Sequence, residues 1–113
     1  MSLLIKAIKD SHYSYSELSK MSGQSVSAIS KWVTKGVSPS AQSAINVLHV
    51  LGMSDQFDVK ERMREARGEH RIYDIEQASG IPERSLENYL YMDVMPSYRT
   101  YLDYMETMER LND

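Results

Sequence analysis

Apolar residues recur along this chain at three- and four-residue spacing, with polar residues between them and a glycine or proline at most breaks. Leu4, Ile5 and Ile8 open the series behind Ser2, a residue able to cap a helix. Ser14 to Glu17 reads Ser-x-x-Glu, in which hydroxyl and carboxylate satisfy free amides at a helix start. Leu18 and Met21 are the expected inward residues of that short helix, and Gly23 ends it in a left-handed turn. Ser25 caps the next helix, with Ile29, Trp32 and Val33 inward and Gly36 as its stop. Ser38-Pro39 is the expected cap and first residue of a further helix, with Ala41, Ala44, Ile45, Leu48 and Leu51 inward up to Gly52.

The pattern then starts again. Asp58 to Glu61 opens a charged helix with Val59, Met63 and Ala66 inward, and Gly68 ends it. Ile75 lies in a short helix stopped by Gly80. Glu83 to Leu90 forms the next, with Leu86, Tyr89 and Leu90 inward. Pro96 opens a last helix carrying Tyr98, Tyr101, Leu102, Met105, Met108 and Leu111. No window alternates apolar and polar residues long enough to predict a strand. One ungapped shift lays Ser22-Gly23 on Ser79-Gly80, Val37 on Val94 and Pro39-Ser40 on Pro96-Ser97. The same shift lays Leu18 on Ile75, Ile29 on Leu86, Trp32 on Tyr89 and Ile45 on Leu102. The expectation is an all-α chain of two four-helix units, residues 1–54 and 55–113.

Composition narrows the function classes. The chain has 113 residues, 42% hydrophobic and 26% charged, a soluble globular balance. It has no cysteine, which excludes disulfides and thiolate metal sites. No apolar run is long enough to span a membrane, and Met1 to Lys9 is too short and too broken by lysine for a secretory signal, so the expected compartment is the cytoplasm. His12, His49 and His70 lack metal-ligand spacing. There is no nucleophile with a partner base and no phosphate-binding glycine loop, so neither an enzyme nor a cofactor is expected. Net charge is −3, but the first half is net positive and the second net negative, so the two halves need not do the same job.

Two helices joined by a short glycine turn, the second reading Ser-x-x-x-Ile-x-x-Trp over Ser25 to Trp32, form a helix-turn-helix. Residues Leu18 to Met53 resemble the lambda-repressor-like (Cro/C1, XRE-type) DNA-binding family, and Ile75 to Met108 resemble it more loosely. Ser19 is the small residue where the first two helices of the motif cross, and Ile29 and Trp32 anchor the second helix on the core. The resemblance implies that Val26, Ser27 and Lys31 read bases, with Ser25, Ser30 and Thr34 on the same face. Lys31 would donate to guanine, and Val26 would meet a thymine methyl. Amides near Tyr15 and Ser16 would sit on a phosphate, and Lys35, Ser38 and Ser40 would add backbone contacts. Two departures stand out. Gln24 occupies a position that is usually apolar, and Glu76 takes the place of Ser19 in the second unit.

The second unit's outward face holds Pro82, Glu83, Arg84, Glu87, Asn88 and Tyr91. Arg84 and Asn88 are good base readers, but the glutamates beside them repel phosphates. The expected function is a sequence-specific duplex DNA-binding transcription regulator, a repressor of the phage or mobile-element type. The alternative is a helix-turn-helix module that grips another regulator or a host protein through its acidic half. The last helix offers Tyr98, Tyr101, Leu102, Tyr104, Met105 and Met108, an excess of interface-type residues. They pair two chains in one arrangement, and pack the two units of a single chain in the other.

Overall fold

The computed structural model describes residues 2–113 and contains eight helices among them. These are α1 (Ser2–Asp10), α2 (Tyr15–Ser22), α3 (Val26–Lys35), α4 (Ala41–Val50), α5 (Val59–Arg67), α6 (Ile72–Ser79), α7 (Glu83–Tyr91) and α8 (Tyr98–Leu111). The all-α class is as expected. The shift that aligns Gly23 with Gly80 also lays α1 on α5 and α2 on α6, end for end, and the first residues of α3 and α4 on those of α7 and α8. Each unit packs its second helix against its third and fourth, the helix-turn-helix arrangement.

Local chemistry sets most helix ends. Ser14 and Glu17 form the reciprocal capping box: the Glu17 amide donates to Ser14 Oγ at 3.1 Å, and the Ser14 amide donates to Glu17 Oε1 at 3.4 Å. Gly23 and Gly80 both end their helices at φ 78°, a conformation that costs other residues about 1 kcal/mol or more. Ser22 and Ser79 tie the two turns identically, each hydroxyl donating to the carbonyl four residues back.

The start of the fourth helix differs from expectation. The cap of α4 is Ser40, not Ser38, and its Oγ accepts from the Ser43 amide. α8 likewise begins at Tyr98 behind its cap Ser97, rather than at Pro96. The displaced prolines take part in joining the units. The Ala41 amide donates to the Pro96 carbonyl at 2.9 Å, and the Tyr98 amide donates to the Pro39 carbonyl at 2.8 Å. Each is the first amide of its helix, which has no partner within the helix. Ser40 and Ser97 thus pair as an isolated antiparallel bridge, and because equivalent residues exchange equivalent bonds, the junction has local two-fold character.

The two units share one hydrophobic core, and the molecule is elongated, 43 × 23 × 21 Å. α4 packs on α8 across the junction, so α4 must bury more than one face. Val47, absent from the inward stripe expected for α4, is fully buried. Met21 is the opposite case, expected inward but 47% exposed, so Leu18 is the buried anchor of α2, with Tyr15 packed partly on the core beside it. Where α4 carries Ala41, Ala44 and Val47, the equivalent positions of α8 carry Tyr98, Tyr101 and Tyr104, all buried. Small side chains along α4 leave room for α8 to lie close to it.

These burials correct the two-chain reading of α8. Tyr98, Tyr101, Tyr104 and Met108 are interior residues of this chain, and only Leu102 and Met105 retain exposure or partial exposure. A surface pairing two chains cannot be built from side chains already spent on the core. Tyr104 also donates from its hydroxyl to the Met63 carbonyl at 2.8 Å, tying α8 to α5. Burial pushes its pKa up to about 12.

The segment between the units is held as well. The Gln42 side chain, from α4, accepts from the Val59 amide and donates to the Phe57 carbonyl, both at 2.9 Å. One amide group thereby fixes the entry to α5 against the first unit.

Candidate nucleic-acid interface

The α2–α3 turn of the first unit positions the candidate surface. Ser25 Oγ accepts from the Ala28 amide at 3.0 Å and starts α3 cleanly. Ile29 and Trp32 are buried, which fixes the rotation of α3 about its axis. The opposite side then holds Val26, Ser27, Lys31, Thr34 and Lys35, all exposed, with Ser30 half-buried at the margin. Val26 is 44% exposed, enough to present its methyl groups to a partner. Gly36 ends the helix at φ 67°. No acidic residue occurs anywhere in α3. This is a short helix with a dry inner side and an outer side of small polar, methyl and lysine groups, the set that meets base edges and phosphates.

The remaining first-unit residues take more varied places. Thr34 donates its hydroxyl to the Ser30 carbonyl at 2.7 Å, which leaves its oxygen lone pairs and methyl free. Ser16 is exposed and Tyr15 half-buried at the start of α2, where helix geometry leaves their amides without partners. The Glu17 carboxylate of the capping box shares that end, so a phosphate there meets one negative charge already in place. Ser38 is half-buried. Ser40 caps α4, bonds Ser43 Oγ at 2.9 Å and lies on the junction with the second unit. Its first duty is therefore structural. Lys20, in the last turn of α2, is exposed and was not singled out in the sequence. The signal available was its place off the Leu18 stripe, on the side of α2 that faces solvent.

The second unit keeps the frame and changes the surface. Leu86 and Leu90 anchor α7, while Arg84 is exposed and Asn88 half-buried on its outer side between Glu83 and Glu87. Glu76, at the position of Ser19, does not lodge between the helices. Its Oε2 accepts from the Glu83 amide and caps α7, whose N-cap Pro82 supplies no side-chain bond. Ile81 fills the turn position that holds Gln24 in the first unit, with its side chain packed on the core. Asp93 stands where Gly36 would, and no left-handed glycine closes α7. Cations from α5 do that work instead: Lys60 Nζ donates to the Tyr89 carbonyl at 2.7 Å and to that of Val94, and Arg64 Nη1 donates to the Leu90 carbonyl at 2.8 Å. Burial, then the nearby Arg64, lowers the Lys60 pKa.

The start of α7 therefore carries carboxylates, where the start of α3 carries a serine cap and a valine. No cluster of potential metal ligands occurs among the described residues, and no helix is long and apolar enough to cross a membrane. Searches of characterised proteins and of solved structures found no match. A helix-turn-helix family model matches residues 4–57, which hold most of α1 and all of α2 to α4 and end just before α5. The first unit thus belongs to the Cro/C1-type helix-turn-helix family of DNA-binding regulators.

Proposed function

We propose that the protein is a sequence-specific duplex DNA-binding repressor that reads its operator through α3 and occludes a promoter. The observation that carries this is the split character of α3, with Ile29 and Trp32 sealed in the core and the outer side uncovered. Lys31 donates to guanine O6 or N7, Val26 packs on a thymine methyl, and Ser27 and Ser30 complete the base-facing side. Thr34, Lys35, Lys20 and the free amides of Tyr15 and Ser16 grip phosphates. Ser25 and Ser40 hold the helix starts, and Ser38 lies just beyond the reading helix. Arg84 and Asn88 stand outside the principal contact, because the carboxylates around them oppose a phosphate backbone. A compact regulator of this build, two small helical units packed on one core, suits a phage or mobile element. Its place of action is the cytoplasm, and its role is binding rather than catalysis.

Selection of bound duplex from a random pool, followed by mobility shift at low and high salt, tests the proposal. A defined site whose affinity falls steeply with salt is the expected result. Absence of any preferred sequence, with no binding at either salt, would end it.

A second reading, a protein-binding module, is favoured by one observation. Tyr73, Tyr91 and Met92 of the second unit are 58%, 58% and 60% exposed.

A further inference from the structure

The repeat shift lays Tyr73 on Ser16, Tyr91 on Thr34 and Met92 on Lys35. At each of these positions the first unit carries a residue of the proposed phosphate grip, and the second carries a large side chain that stays more than half exposed. Tyrosine and methionine are the residues that form the cores of protein interfaces. Around them lie Glu76, Glu83, Glu87 and Asp93, so the patch is apolar at its centre and acidic at its edge. Arg71 is paired with Asp74 at 3.2 Å, Arg67 lies over the Tyr91 ring at 5.5 Å and Arg84 is exposed between Glu83 and Glu87, so carboxylates still outnumber the cations of this face.

We infer that the α6–α7 face of the second unit docks on the α2–α3 reading face of the first unit of another copy. Charge complementarity selects this occupant. Two α6–α7 faces brought together would oppose surfaces in which carboxylates outnumber cations. The reading face carries Lys20, Lys31 and Lys35 around exposed Met21, Val26 and Val37, the opposite sign with its own apolar centre. Each molecule has one face of each kind, so the contact is heterologous and extends head to tail rather than closing. The acidic unit thus occupies the surface that an operator would use, and self-association and DNA binding exclude each other. This last step rests on the proposed role of α3; the docking itself does not.

The test uses two full-length variants, each altered only at exposed side chains. One, Tyr73→Ser with Tyr91→Ser, removes the apolar centre of the second-unit face. The other, Lys31→Glu with Lys35→Glu, reverses the first-unit face. In sedimentation velocity, the unaltered chain should grow in mass with concentration and return to monomer at high salt. Each variant alone should stay monomeric, and an equimolar mixture should form a one-to-one dimer and nothing larger, because only one competent pair of faces remains. An unaltered chain that stays monomeric throughout at low salt overturns the inference, as does a lysine variant that still self-associates alone. Circular dichroism and thermal melting matching the unaltered chain verify that both variants are folded. None of these outcomes involves DNA, so a failed operator selection leaves them intact. Conversely, monomeric behaviour with normal operator binding rejects the docking alone.

Discussion

The first unit presents Val26, Ser27, Lys31, Thr34 and Lys35 where the second presents Glu83, Arg84, Asn88, Tyr91 and Met92. Beneath these surfaces the two frames agree closely. Leu18 and Ile75, Ile29 and Leu86, and Gly23 and Gly80 keep the same places and the same jobs. The difference shows which positions the frame constrains. A buried side chain must fill its space and a left-handed turn favours glycine, but an outer helix side answers only to what it meets. Helix starts fall between these cases: Ser25 caps α3 from within, while Glu76 reaches over from α6 to cap α7.

The largest expected effect breaks the shared core. Tyr104→Ala should cost about 3–5 kcal/mol of unfolding free energy, as deletion of a buried ring generally does. The equivalent change in the first unit, Val47→Ala, should cost about 2 kcal/mol, since it removes only two buried carbon groups. Urea titration compares them. Equal losses would mean that the two positions do not share a junction of unlike sizes.

The next effect sharpens the contrast between the outer surfaces. Lys31→Ala should weaken operator binding by about 1–3 kcal/mol and relax one base preference. Asn88→Ala, at the equivalent place in α7, should change affinity by less than about 0.5 kcal/mol, the usual range for a surface change away from a contact. Titration of the selected duplex against both variants distinguishes them, and a larger loss for Asn88→Ala would reverse the assignment of the two units.

Tyr104→Phe keeps the ring and removes the bond to the Met63 carbonyl, at an expected cost of about 0.5–1.5 kcal/mol near neutral pH. It also changes the alkaline behaviour. The folded pKa of about 12 lies above the unfolded value near 10, so the fold favours the neutral ring. The associated stability is complete below about pH 10 and is lost as pH rises through 12. Burial raises Tyr98 and Tyr101 in the same direction. Stability measured from pH 9 to 12 should therefore decline less steeply in Tyr104→Phe than in the unaltered chain.

The smallest effect concerns the unusual cap. Glu76→Ala should cost about 0.5–1 kcal/mol, the lower part of the range for a lost helix cap, because the Glu83 amide lies at the surface. Ser19→Ala should fall within about 0.5 kcal/mol, since no hydrogen bond of its side chain is part of the turn. Thermal melts of the two variants measure the difference.

Local signals made much of this fold legible. The Ser-x-x-Glu box, Ser25, Gly23 and Gly80 act over three or four residues, and each falls where the pattern places it. Ile29 and Trp32 likewise identify the uncovered side of α3, because a helix with one anchored stripe has only one side left. What escaped depends on residues far along the chain. Val47 reads as an ordinary outer residue until α8 packs on α4. The tyrosines of α8 look like an unpaired surface until α4, α5 and α6 pack on that helix. The roles of Gln42 and Lys60 depend on carbonyls and amides that distant segments bring to them. Ser40 rather than Ser38 caps α4 because Pro39 is drawn into the junction, where its carbonyl meets Tyr98.

That exchange of backbone bonds between the Pro39 and Pro96 segments has a kinetic meaning. Two separate subunits joined this way would part on dilution, and an operator would compete with their dissociation at the low copy number of a cell. Here the halves are covalently tethered, so a broken junction re-forms at a rate independent of protein concentration. Tethering also frees each half to accumulate its own substitutions, which a symmetric pair encoded once cannot do.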